Sequence, residues 1–187
     1  MGDKPDVLNL SEYDNEIKEA MDIAERLQDI GSKCGFNAFQ PGTMKEIKMA
    51  DLLGHCIVRG KKNADACDCE NLDLYEYLSA KEGGAGQIDR VFKDGEDEEQ
   101  HKKYLRSMER IERNKAFYIA YTNPDTSMPL DILRIYEMDP KVIREEADRQ
   151  LQNSSNDISH VSFYEKFAKE KGTLVWEKEK ENESDNK

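Results

Sequence analysis

Apolar residues recur at helical spacing near the start of the chain, at Ile17, Ala20, Met21, Ala24, Leu27 and Ile30. This predicts an amphipathic helix over residues 11–31, with Ser11 as N-cap and Gly31 as the terminating residue. A second helix is predicted over residues 43–54. Thr43 and Glu46 have the spacing of a capping box, Ile47, Ala50 and Leu53 share a face, and Gly54 stands at the stop. The period then shortens. Residues 56–59 and 74–81 read as strands, with a third short strand around Asp65, a turn at 70–73 and a glycine-rich loop at 83–86. Residues 87–92 read as a strand end or turn, and 94–100 as an exposed acidic loop. Residues 102–114 return to helical spacing, with Tyr104, Leu105, Met108 and Ile111 inward. The run AFYIAYT at 116–122 is apolar throughout, as a central strand is. Residues 130–138 are its natural antiparallel partner. Asp139 and Pro140 then open a helix as N-cap and first residue. A strand at 160–164, a short helix and a last strand at 173–176 follow. Residues 177–187 are charged and patternless, and read as a disordered tail.

Strands interleaved with helices predict an α/β domain over residues 1–176, with a mixed central β-sheet flanked by helices. Hydrophobic residues make up 37% of the 187 and charged residues 36%, a balance that supports one solvated domain with a core. No run approaches the roughly 18 apolar residues of a membrane span. The opening MGDKPDVLNL lacks the apolar stretch of a secretory signal, so the expected compartment is the cytoplasm. The four cysteines, Cys34, Cys56, Cys67 and Cys69, therefore read as reduced thiols. Zinc held by Cys56, Cys67, Cys69 and His55 is the competing reading. The formal net charge of −12 argues against avid non-specific binding to nucleic acid. The charge is uneven, however. Residues 94–99 are acidic, whereas Arg59-Gly60-Lys61-Lys62 and residues 102–115 are basic.

The candidate chemistry sits in residues 63–89. Asp65 and Glu76 lie eleven positions apart on two neighbouring strands and could meet on one face. Asp68 competes with Asp65, but three positions along a regular strand point it the other way. Glu76 stands between Tyr75 and Tyr77, and a buried carboxylate there needs a metal or a cation. Gly83-Gly84-Ala85-Gly86 lacks the Lys-Ser/Thr of a phosphate-binding loop. His55, His101 and His160 have no nucleophile at a recognisable spacing.

The order of helix, basic turn, Asp…Glu hairpin and strand–turn–strand over residues 45–140 resembles the PD-(D/E)xK nuclease superfamily. It is closest in layout to small type II restriction endonucleases that cut as homodimers. The resemblance implies a restriction endonuclease-like fold and a Mg²⁺-dependent endonuclease acting on double-stranded DNA. Asp65 and Glu76 would be catalytic metal ligands, and Glu46 the helical glutamate near the metal. Lys61, Lys62, Gln87 and Arg90 would contact DNA. The helix at 11–31 would be the dimer contact. One departure stands out: the family's lysine two residues after the second carboxylate is Leu78 here. Lys81 or Lys62 would have to replace it, and strand alternation puts Lys81 on the face opposite Glu76 unless a bulge intervenes. A nuclease-fold binding protein without activity is the alternative that this departure permits.

Overall fold

The fold is that of a computed structural model, which describes residues 14–40, 42–58, 64–125 and 130–179. The chain divides into two compact units, residues 1–43 and 44–187. In the first, helix α1 (Asp14–Cys34) runs one turn beyond the predicted stop. Gly31 is needed for close packing instead. A Cβ there would lie 2.9 Å from the Phe36 carbonyl oxygen and 3.0 Å from its ring. The reversal falls at Gly35, whose φ of 82° suits glycine. Met21, Ile23 and Ile30 are exposed on this helix, while Ser11 lies outside the described residues.

The second unit is mixed α/β. It opens with α2 (Thr43–Leu53), followed by β1 (Cys56–Ile57), β2 (Ala66–Cys67), β3 (Leu74–Lys81) and β4 (Ala85–Phe92). Then come α3 (Glu98–Glu112), β5 (Ala116–Thr122), β6 (Ile132–Met138), α4 (Pro140–Gln152), β7 (Ile158–Tyr164), α5 (Glu165–Lys171) and β8 (Thr173–Glu177). Six strands form a mixed sheet in the order β1-β2-β3-β5-β6-β8. β3 and β5 run parallel, and the other neighbours antiparallel. A parallel pair needs a long crossover, here supplied by β4 and α3. β4 leaves to pair with β7 in a second, two-stranded sheet.

All seven residues of β5 are buried, as its continuous apolar run predicts. One face of the large sheet (Leu78, Ala80, Phe117, Ile119, Tyr121) packs on β4, β7 and helices α3 to α5 through residues such as Val91, Met108, Ile111, Ile143 and Phe163. The other face (Tyr75, Tyr77, Tyr118, Ala120) packs with Met49 and Ala50 of α2. Each fully buried aliphatic or aromatic side chain contributes roughly 1.5–3 kcal/mol, so these two layers hold the unit together.

Three expectations change. Residues 85–92 form a complete strand, because pairing with β7 outweighs the weak local signal of Gly86 and Gln87. A Cβ on Gly86 would sit 3.0 Å from that of Leu78, so the glycine lets β4 press onto β3. The acidic run is loop only as far as Asp97, where α3 begins: Asp97 accepts the Gln100 N–H as N-cap, and Glu98 and Glu99 fill the first turn, where the helix dipole favours them. Leu105 is then 49% exposed and Ser107 is buried in its place. Finally, Cys56 and Cys69 form a disulfide, with Cα atoms 5.2 Å apart, so the cysteines are not all reduced thiols. Pairing of Cys56 with Cys67 across β1 and β2 brings the next turn, with Cys69, within bonding reach. Cys67 itself is buried and free. The bridge leaves a zinc reading without two of its thiols.

Gly172 ends α5 with its Cα against Met138 and two carbonyls. A Cβ would lie 2.3 Å from the Met138 sulfur and 2.8 Å from the Glu137 and Ala168 oxygens. Gly172→Ala is expected to lower unfolding stability by about 1–3 kcal/mol, read as a reduced urea midpoint. Reducing the Cys56–Cys69 bridge, which spans a sequence separation of 13, is expected to cost about 3 kcal/mol, read by the same titration with and without dithiothreitol.

Candidate carboxylate site on strand β3

β3 sorts its side chains by alternation. Tyr75 and Tyr77 belong to the α2 side, and Leu78 and Ala80 to the α3 side. Glu76 pairs with Phe117 of β5 and so faces the α3 side. The two tyrosines that flank Glu76 in sequence therefore point away from it.

Antiparallel pairing of Ala66 with Tyr75 sets the next step. Continued by one residue, it places Asp65 directly opposite Glu76. Asp65 precedes β2, where the ladder has not begun. Its N–H donates to the Tyr75 carbonyl at 3.2 Å, and its Oδ2 accepts the Tyr77 N–H at 2.9 Å. The carboxylate thus stands in for a missing strand neighbour and is fixed beside Glu76. Asp68 has a different task. Its Oδ1 accepts the Glu70 and Asn71 N–H groups at 2.8 and 2.9 Å, closing the turn before β3.

Burial pushes the Glu76 carboxyl up, the negative charges of Asp65 and Glu46 add to this, and Arg110 and Arg113 oppose it. The result is about 7, against an ordinary 4.5. Glu46 thus lies within electrostatic reach of Glu76, from the first turn of α2. Its capping-box explanation fails. Thr43 is already helical, and its hydroxyl is buried with no hydrogen-bond partner among the described residues.

The structure sets Asp65 opposite Glu76, while Glu46 lies on α2, which packs on the other face of the sheet, and acts on Glu76 only through its charge. The structure does not bring Lys81 to the pair. Pairing of β3 with β5 runs unbroken from Tyr75 to Lys81, so no bulge corrects the alternation. Lys81 is exposed, five residues along and on the opposite face. Leu78 is 7% exposed within the core. Lys61 and Lys62 lie outside the described residues. Gln87 is exposed on β4 and donates to the Ser162 hydroxyl at 3.1 Å. Arg90 is exposed beside α3. The cations whose charge reaches Glu76 are Arg110 and Arg113, both within the basic stretch 102–115. Their helical spacing with Lys103 and Arg106 was the available signal.

His55 belongs to a separate cluster on the α2 side. Its Nδ1 lies 2.8 Å from the Tyr77 hydroxyl, and its ring packs against those of Tyr75 and Tyr118. Burial holds it below the usual imidazole range.

Among the described residues no three histidine, cysteine, aspartate or glutamate side chains are grouped so as to hold a metal ion on their own. Mg²⁺ commonly takes only one or two protein carboxylates and completes its shell with water and substrate phosphate. A facing Asp65–Glu76 pair, one member strained by burial and then by like charge, is a donor set that suits such an ion. No protein-family model matches the chain, and no curated protein matches it.

The raised Glu76 carboxyl has a defined consequence. The folded state holds a proton that the unfolded state releases, so its contribution is complete below about pH 4.5 and is lost as pH rises through about 7. Glu76→Gln keeps the neutral form at every pH. Its stability gain over wild type is expected to be near zero at pH 4.5 and to grow to roughly 3 kcal/mol above pH 8. Parallel denaturation curves for the two proteins at all pH values would contradict this.

Proposed function

We propose that the chain is a Mg²⁺-dependent DNA endonuclease of the PD-(D/E)xK kind, of type II restriction character and acting as a homodimer on double-stranded DNA. The observation that carries the reading is the placement of Asp65 opposite Glu76, with the charges of Glu46, Arg110 and Arg113 in reach. Asp65 and Glu76 would hold the ion, and Glu46 would act on it only through its charge. Bound Mg²⁺ supplies polarisation of the phosphoryl group and acidification of water in such reactions.

Each side chain has a definable part. Asp65 is held in place by the Tyr77 N–H, so binding does not require it to be ordered anew. Glu76 must lose its proton to bind a cation, so metal affinity rises with pH through about 7. Arg110 and Arg113 offset the charge of an incoming phosphate, which two or three carboxylates would otherwise repel. Lys81 has no part in this reading. An inactive binding protein of the same fold is the second reading, favoured by the buried Leu78 at the lysine position.

Plasmid and phage DNA incubated with Mg²⁺ or Mn²⁺ are expected to give discrete fragments, with none in EDTA. Asp65→Asn and Glu76→Gln are each expected to slow cleavage roughly 100-fold or more, whereas Lys81→Ala leaves it unchanged. Absence of cleavage by folded protein across varied unmethylated DNA would transfer the case to the binding protein.

A further inference from the structure

The carboxylate neighbourhood does not account for a concentration of positive charge on β4 and α3. An open groove of about 510 Å³ runs between β4 and α3, lined by Arg90, Phe92, Lys103, Arg106, Ser107 and Arg110. Four of its six lining residues are cationic and none is acidic, in a chain of net charge −12. Lys103, Arg106 and Arg110 recur at positions three and four apart, so they form one stripe along α3. At 1.5 Å per residue the stripe is about 10 Å long, or roughly three nucleotides of one B-DNA strand at 3.4 Å each.

Arg90 reaches this groove because the strand is distorted. Ile88 and Val91 are both buried, with two residues between them, and pairing with β7 shifts register there. That is a bulge, and it turns Arg90 out of the core-facing position that alternation would assign it. Arg90 has a φ of 55°, a left-handed conformation that residues other than glycine, asparagine and aspartate seldom adopt. Glycine would serve the backbone better there, and the arginine in its place adds a charge to the groove. Its neighbours are organised around the same spot. Arg110 donates to the Asp89 carbonyl at 2.7 Å, and the Ser107 hydroxyl accepts the Phe92 N–H at 3.2 Å, tying β4 to α3. Lys103 is paired with Glu99. Arg90 and Arg106 have no ion-pair or hydrogen-bond partner among the described residues, so their donors are available to a ligand.

We propose that the β4–α3 groove is a phosphate-binding track for duplex DNA, in which Arg90 and Arg106 each take a backbone phosphate and Arg110 leads the strand toward Glu76. The groove is defined without the nuclease reading, but its assignment to DNA, as opposed to another polyanion, rests on that reading. Guanidinium groups match phosphate oxygens in a fork, and contacts of this kind fix the position of a duplex without reading its sequence.

The test uses the full chain and a fluorescein-labelled 20-base-pair duplex, with anisotropy measured in EDTA across a salt series. Arg90→Gly is chosen because glycine accepts the positive φ, so the variant keeps the bulge while losing the charge. Arg106 is exposed and glutamine is as good a helix former, so Arg106→Gln leaves the helix intact, and Arg106→Lys keeps the charge. Wild type is expected to bind with a steep salt dependence. The Arg90→Gly/Arg106→Gln double variant is expected to bind at least 10-fold more weakly near 100 mM salt. Its log–log salt slope should be shallower by about 2, one for each lost phosphate contact. Arg106→Lys should keep the wild-type slope. Unchanged affinity and slope in the double variant would overturn the proposal, as would equal or tighter binding of an RNA duplex of the same sequence. Cleavage separates the two readings. Loss of binding in the double variant, with no cleavage by wild type in Mg²⁺, supports the track and removes the nuclease. Cleavage by wild type and double variant alike, with equal binding, does the reverse.

Discussion

β3 is packed on both faces, and its alternation decides where every chemical group near it can go. Tyr75 and Tyr77 must fill the α2 side and Leu78 and Ala80 the α3 side, because each pair belongs to a different core layer. A slip of one residue would exchange them and bury Lys81. Glu76 is consequently held among apolar neighbours on the α3 side, where its charge is costly. The same register puts Asp65 opposite it. The electrostatic strain of the site is therefore supported by the packing of the sheet and does not arise from the carboxylates alone.

That strain is partly balanced from outside the strand. α3 crosses from β4 to β5 and carries Arg110 and Arg113 toward Glu76. The helix is fixed there by Met108 and Ile111 in the core and by its N-cap at Asp97. Its outward stripe continues into the groove beside Arg90. The acidic segment at the start of α3 and the basic stripe farther along are thus parts of one helix: Glu98 and Glu99 suit its positive end and pair with Lys102 and Lys103. A net charge of −12 conceals this separation along one helix.

A second set of ion pairs ties the far end of the sheet. Arg134 on β6 binds Glu165 at 2.6 Å and also Glu82 just after β3, joining the sheet to the start of α5. Tyr121 donates to the Phe163 carbonyl at 2.9 Å and links the large sheet to the small one. These contacts close the end of the unit that carries Lys81. They give that end a structural part, distant from the carboxylates by most of the length of β3.

Strong local signals were legible in the residues themselves. The apolar run of β5, the Asp139–Pro140 start of α4, the bounds of β3 and the glycine stop of α2 all depend on short-range rules of period and capping, and the structure has each of them. The pairing of Asp65 with Glu76 was legible as a possibility, because eleven residues with a turn between them can form a hairpin. Other features needed the tertiary structure. β4 has weak strand signals and exists because β7, some seventy residues away, supplies its hydrogen bonds. Arg90 faces α3 only through a bulge that this distant pairing creates. Gly31 and Gly86 are set by what packs on them, not by the turns they suggest. Cys56 and Cys69 meet because β1 and β2 pair. Sequence alone determined the elements whose stability is local, whereas the third dimension decided which charges meet, since a contact between distant segments leaves no period in either of them.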